Sequence, residues 1–323
     1  MNVAATPARV LERDVPAQPA AWFKWKDSRI MAEHESWHDE QGATMANRRT
    51  AVATLALLVV QSLGHTAGEV RTSTVSTTTK SVVLTSTLSM TAKGKTTQAQ
   101  VVESIHGQAM SVHVIRPGDP GRVYVYDVAG NRAVILHRDK REAEIYDAAT
   151  AAAEVEKRLP SDRIIGEVTP TGRTKDLLGV RCEEYSFALK GPLTATVLLV
   201  RSGTTWLAKQ GPGVEEYLSF YRAAGTVLAA GSIRAPKEVL ALSRTDTEFY
   251  RRIAALGGMP YAIDTKISVE GTGLAARMLG DILNLSESIT TTAVDTTPLQ
   301  EEMFAVPAGW KTKFIGYAKD KRH

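Results

Sequence analysis

The alternation of apolar and polar residues predicts strands along most of the chain after residue 80. Alternating Thr, Ser and Val without proline marks 81–90, 98–105 and 110–115 as half-buried strands. The cluster Pro117-Gly118-Asp119-Pro120-Gly121 interrupts the run, and a meander follows with strands over 122–128, 132–137 and 142–146. The turns between these strands, Ala129-Gly130-Asn131 and Arg138-Asp139-Lys140, are short enough to permit only antiparallel pairing. Alanine-rich 148–159 predicts a short helix stopped by Pro160. Strands resume at 163–169 and 179–189, and a hairpin is expected from 193–201 and 204–209 with Ser202-Gly203 at its turn.

The period then changes. Val214, Tyr217, Leu218, Tyr221 and Leu228 fall at helical spacing, with Glu215 and Glu216 favourable in the first turn. A short helical turn is placed at Pro236. Thr245-Asp246-Thr247-Glu248 has the form of a capping box opening a second helix. Phe249, Ile253 and Leu256 would form one face of it, and Gly257-Gly258 would stop it before Pro260. Strands are expected again at 261–269, 287–294 and 303–306, with a helix over 274–283.

Before residue 80 the pattern is of another kind. Met45 to Thr50 carries Arg48-Arg49, an apolar run follows from Ala51 to Leu63, and the exit through Gly64 and Ala67 is made of small residues. This three-part order is that of a secretory signal peptide. The apolar run falls short of the roughly 20 residues a membrane-spanning helix needs. A buried core helix is the alternative, but nothing amphipathic flanks the run. The reading makes 1–44 a mis-called or disordered extension, 45–67 the signal, and 68–323 a single exported domain in the periplasm or outside. Ala51-Val52 after the arginines favours general secretion over the twin-arginine route.

Composition changes the picture little. The formal net charge of +4 is spread along the chain, with no basic stripe interleaved with aromatics, so no nucleic-acid partner is expected. Cys182 is the one cysteine, which rules out an intramolecular disulfide and leaves no cysteine after the signal for a lipid anchor. A lone thiol could pair between chains or act as a nucleophile, but burial is the commoner state.

Candidate chemistry is sparse. His34-Glu35-Ser36-Trp37-His38 matches the zinc-protease pattern H-E-x-x-H. Its polar neighbours and its position upstream of the signal argue for chance, and no metal is expected. Gly271-Thr272-Gly273-Leu274-Ala275-Ala276 resembles a dinucleotide fingerprint. It comes after antiparallel hairpins, with too little chain left for further β-α units, so a turn is expected and no cofactor. His106, His113 and His137 sit in no metal-ligand motif, and no catalytic residue is assigned.

Two passages carry a resemblance. Gly179-Val180-Arg181-Cys182-Glu183-Glu184-Tyr185 has the form G-x-x-C-x-x-Y, and 298–310 closes with Phe304-Ala305-Val306-Pro307-Ala308-Gly309-Trp310. With Gly258-Met259-Pro260 leading into a strand, they resemble an uncharacterised family of exported bacterial proteins. That family is distantly similar to the LolA/LolB-type periplasmic lipoprotein carriers. The resemblance implies an α+β fold: a curved antiparallel half-barrel sheet with helices packed on its concave face. It implies no catalytic residue.

The expected function is therefore non-catalytic. The hollow of a curved sheet would bind an amphiphile, a lipid or an acylated protein, with Tyr217, Tyr221 and Phe249 lining it. The simpler alternative is that these aromatics seal the sheet and that an envelope interaction or sensor surface is the working part.

Overall fold

The computed structural model describes residues 80–118, 121–159, 163–225, 227–228 and 237–315. The expected N-terminal extension, the signal over 45–67 and the H-E-x-x-H match lie outside the described residues.

Twelve strands form one sheet. In chain order they are β1 (Ser81–Ala92), β2 (Lys95–His106), β3 (Ala109–Ile115), β4 (Arg122–Asp127), β5 (Arg132–His137), β6 (Glu142–Asp147), β7 (Ile165–Leu177), β8 (Val180–Thr194), β9 (Val197–Ala208), β10 (Met259–Gly271), β11 (Leu285–Asp295) and β12 (Lys311–Ile315). The helices are α1 (Ala148–Arg158), α2 (Val214–Ala223), α3 (Lys237–Ala255) and α4 (Gly273–Leu283). The order across the sheet is β12-β6-β5-β4-β3-β2-β1-β11-β10-β9-β8-β7. Every pairing is antiparallel except β12 with β6. The fold is thus α+β, with an open half-barrel sheet and the helix pair α2 and α3 against its concave face.

Alternation dictates the two faces. On β9 and β10, Val197, Leu199, Arg201, Thr205, Ile263, Thr265 and Ile267 are buried. Ser202, Thr204, Asp264 and Lys266 point the other way, by the period of two. The main core joins the concave face to Val214, Tyr217, Leu218, Phe220 and Tyr221 of α2 and to Leu240, Leu242, Phe249 and Ile253 of α3. A smaller core lies on the other face of β4–β6, where Val123, Val125, Val134, Leu136 and Ile145 are covered by Phe304, Val306 and Trp310. Both faces of these strands are therefore buried, which is why their sequences read as near-continuous apolar runs.

Several expectations change here. The hairpin expected at Ser202-Gly203 is absent, and β9 runs straight through it. A Cβ on Gly203 would stand 1.8 Å from the Asp264 carbonyl oxygen, so the glycine serves a close strand approach and not a turn. The reversal lies instead at Ala195-Thr196, after a β8 that extends to Thr194. The capping box at Thr245 sits in mid-helix, because α3 begins at Lys237 and Thr245 Oγ1 donates back to the Ala241 carbonyl. The strand expected at 303–306 is a 3-10 turn, Glu301–Phe304, and β12 forms further on. The stop at Gly257 holds, with φ at +72°. Pro170 is tolerated because β7 is an edge strand whose register shifts between Pro170 and Thr174.

Candidate functional site

The three residues expected to line the hollow lie together between the helix pair and the sheet. Tyr217, Tyr221 and Phe249 are all buried. The Tyr217 and Tyr221 rings are tilted with centroids 4.3 Å apart, and Tyr221 stacks on Tyr250 at 5.7 Å. Tyr250 meets Phe249 edge-on at 5.2 Å, and Phe249 packs on Phe187 of β8 at 4.4 Å. These centroid spacings are those of favourable aromatic pairs. The result is one continuous aromatic layer bridging α2, α3 and β8.

Polar groups are set into that layer. Tyr221 Oη donates to Glu103 Oε1 of β2 at 3.1 Å and lies 3.7 Å from Met110 Sδ. Burial pushes the Glu103 carboxyl up to about 7, against the hydrogen bond from Tyr221, which pulls it down. Burial also raises the Tyr217 and Tyr221 hydroxyls well above the usual phenol range, with the nearby Glu103 charge adding to the effect. Both phenols stay protonated donors at any physiological pH.

The other end of the layer holds a buried charge cluster. Arg201 of β9 and Asp246 of α3 form an ion pair in which both side chains are fully shielded from solvent. Glu287 Oε1 of β11 stands 3.8 Å from Arg201 Nη2, and Thr265 Oγ1 lies 3.5 Å from the same nitrogen. The guanidinium sits 4.7 Å from the Phe249 ring centroid, a cation–π distance. Two carboxyls thus face one guanidinium. Burial raises the Glu287 carboxyl to about 7, and the Arg201 charge only partly offsets it. Arg201 Nε, Asp246 Oδ2 and both Glu287 oxygens have no hydrogen-bond partner among the described residues.

Sequence reasoning assigned no role to Glu103, Arg201 or Glu287, and gave Asp246 only a place in the capping box. The signal that reveals them is register. Glu103 stands on the same strand face as Ala99, Val101 and Ile105, and Arg201 follows Val197 and Leu199. Glu287 lies between Leu285 and Ile289, and Asp246 lies on the helical stripe of Leu242, Phe249 and Ile253. Each is a charged residue in an apolar slot.

A cavity of about 520 Å³ opens where α2 starts beside the sheet end, lined by Lys80, Lys209, Gly213, Val214, Glu216 and Pro298 among others. Its size is within the range of small-ligand pockets. Val214 is one helical turn from Tyr217. Lys209 lies over the Tyr185 ring and donates to the Leu256 carbonyl, and burial lowers its pKa. Lys80 stands 3.7 Å from Glu215.

The remaining candidates have structural roles. Ser81 Oγ is 2.8 Å from His106 Nδ1, and Glu301 lies 4.0 Å from the other ring nitrogen, an order of groups that resembles a hydrolytic triad. Ser81 is buried, however, and its oxygen accepts from Leu299 N. Glu301 is almost wholly exposed, so the group clamps the segment after β11 and presents no nucleophile. Gly271-Thr272-Gly273 is a turn from β10 into α4, and the chain returns as antiparallel β11. Among the described residues, no cluster of His, Cys, Asp and Glu could hold a metal ion, and no helix is long and apolar enough to cross a membrane.

Cys182 is buried in the main core, and burial pushes its thiol pKa up. A thiol reagent should therefore label it only as fast as the protein opens, and Cys182→Ser should cost about 1–3 kcal/mol by burying a hydroxyl in its place. Rapid labelling of the native protein would show an accessible, reactive group instead.

No protein-family model matches the chain, and no curated protein matches it. Among solved structures, the chain is similar to PNGF-II at 10% identity and a TM-score of 0.31, covering 73% of this chain and 31% of that one. The chain thus spans about a third of the length of PNGF-II. It is also similar to a candidate outer membrane lipoprotein-sorting protein domain from Vibrio parahaemolyticus, at 7% identity and a TM-score of 0.30, covering 69% and 88%. A LolA superfamily protein from Nitrosomonas europaea is similar at 8% identity and a TM-score of 0.24, covering 71% and 91%. With TM-scores this low, these likenesses leave the functional reading to rest on the site itself.

Proposed function

We propose that this is an exported, non-catalytic protein of the periplasm or extracellular space that holds an amphiphile between the concave sheet face and the helices α2 and α3. The observation that supports it most is the composition of the layer between them. Tyr217, Tyr221, Phe249 and Tyr250 supply apolar area, while Glu103 and the Arg201–Asp246–Glu287 cluster supply polar groups. A layer that only sealed a sheet would gain more from aliphatic side chains than from charges short of partners. An acyl chain entering beside Val214 would run along the Tyr217 and Tyr221 rings, and its head group would remain by Lys80 and Lys209 at the cavity rim.

A second reading has its own support. The ring spacings of 4.3–5.7 Å mean that Tyr217, Tyr221, Phe249 and Tyr250 already fill the space between them. On that reading the protein is an envelope interaction or sensor protein without a small-molecule ligand.

Thermal shift separates the two. A ligand that binds only the folded state raises the melting temperature, by about 2.7 kcal/mol of stability at a hundredfold excess over Kd. The carrier reading expects such a rise with a long-chain fatty acid, a phospholipid or an acylated peptide. It also expects Tyr221→Ala to reduce the rise more than it reduces the melting temperature of the ligand-free protein. No rise with any of the three in delipidated protein would transfer the assignment to the interaction reading.

A further inference from the structure

The helix α4, Gly-Leu-Ala-Ala-Arg-Met-Leu-Gly-Asp-Ile-Leu, is apolar on two opposite faces. Ala276 and Leu279 pack on the main core, and Leu283 is buried in it. The outward face carries Leu274, Met278 and Ile282, which are 70%, 58% and 45% exposed. Their spacing of four residues makes a single stripe about 12 Å long on a helix rising 1.5 Å per residue. An amphipathic surface helix normally turns its apolar residues to the core and its polar residues to solvent. This one is covered on one side only, and Leu274, Met278 and Ile282 make up three of the eight large exposed apolar side chains among the described residues.

Topology places cations beside the stripe. Leu285 follows the helix and pairs with Ala92, so the β1–β2 turn, with exposed Lys93, borders the C-terminal end of α4. Gly271 at the helix entrance pairs with Val197, which puts the β8–β9 turn of Thr194, Ala195 and Thr196 on the other side. Arg277 is exposed on α4 itself, where Asp281 is the one carboxylate. Glu270 nearby is paired with Lys190 at 2.7 Å. The end of the sheet that carries α4 therefore presents a short apolar ridge in a net positive rim.

We infer that α4 seats the protein on an anionic lipid surface. A stripe of three side chains is far below the roughly 20–30 residues a side of a standard protein interface. It does suffice for a shallow wedge into the head-group region when basic residues around it contribute about 1 kcal/mol each near an anionic surface. The ridge lies at the end of the sheet opposite the cavity beside Val214, since β1 starts at that cavity and ends at α4. Seating by α4 thus leaves the cavity facing away from the membrane. The inference does not depend on whether the hollow holds a ligand.

The test uses the full chain with Met278→Cys carrying a polarity-sensitive fluorophore, the buried Cys182 being protected from the label. Vesicles of phosphatidylcholine with phosphatidylglycerol should shift the label's emission to the blue and sediment the protein, and vesicles of phosphatidylcholine alone should do so far less. Salt near 1 M should weaken the anionic preference, because screening there acts within about 3 Å. Leu274→Ser with Ile282→Ser should lower partitioning about tenfold and leave the melting temperature unchanged, as both residues are exposed. Sedimentation with unmoved label emission would overturn the inference, since another segment, such as the apolar run from Ala51 to Leu63, would then carry the binding. Equal binding to both vesicles would overturn it too. So would a concentration-dependent blue shift without vesicles, which would mean that a second copy covers the stripe.

Discussion

Arg201→Met should lower the unfolding free energy by about 3–5 kcal/mol in urea titrations, the largest effect expected of any single substitution here. Arg201 and Asp246 are both 0% exposed, and Glu287 is 3% exposed. Removing the one guanidinium leaves two buried carboxyls, Asp246 and Glu287, without a counter-charge. The loss comes from the stranded acids and not from the absent arginine, so a compensated variant should recover it. Arg201→Met combined with Asp246→Leu and Glu287→Met should regain most of the stability, because replacing a whole buried ionic cluster with apolar groups is often neutral or better. A cost below about 1 kcal/mol for Arg201→Met would mean that water reaches the cluster.

Stability should fall as the pH rises from about 4.5 to about 7. Glu287 and Glu103 both have their carboxyls raised by burial from 4.5 to about 7. Below pH 4.5 both groups are protonated in the folded and the unfolded chain. Between the two values the unfolded chain ionises while the folded chain keeps its protons, so stability drops with rising pH and levels off above 7. A displacement of this size corresponds to roughly 3 kcal/mol for Glu287. Glu103 keeps some solvent contact and should contribute less. The groups facing Glu287 are Arg201, Thr265 and, more distantly, Tyr250; those facing Glu103 are Tyr221, Tyr217 and Tyr250. Glu287→Gln should flatten most of the slope between pH 5 and 7, and Glu103→Gln a smaller part. A slope between pH 5 and 7 left unchanged by Glu287→Gln would contradict the burial of that carboxyl.

The limits of the sequence reading have physical causes. The strands β1–β6 were legible from alternation, and the β4–β6 meander also from turns too short for anything but antiparallel pairing, and β1 to β6 are neighbours in that order. The helix pair was legible from Val214, Tyr217, Leu218 and Tyr221, and its stop from Gly257. Its second start was misplaced by about eight residues. Thr245, Asp246 and Glu248 have the chemistry of a cap, yet Asp246 is polar because it meets Arg201 across the core. A buried ion pair therefore imitated a helix terminus. Gly203 misled in a similar way, since a missing side chain signals a turn and a close backbone approach alike. The C-terminal chain was read as a strand from Met303-Phe304-Ala305-Val306, but Phe304, Val306 and Trp310 cover an apolar face of β4–β6 whose existence depends on tertiary packing. Of the layer under the helices, the aromatics were legible and the charges were not. Reading Glu103, Arg201 and Glu287 as core residues requires knowing which strand face is buried, and that was fixed by the sheet order.

Native mass spectrometry of the protein, released from cells gently and without detergent, tests the central claim most directly. The account predicts a population heavier than the bare chain by the mass of one lipid or acyl-bearing molecule, lost on solvent extraction and reduced in Tyr221→Ala. A spectrum showing only the bare chain, both as isolated and after incubation with fatty acid and phospholipid, would contradict it.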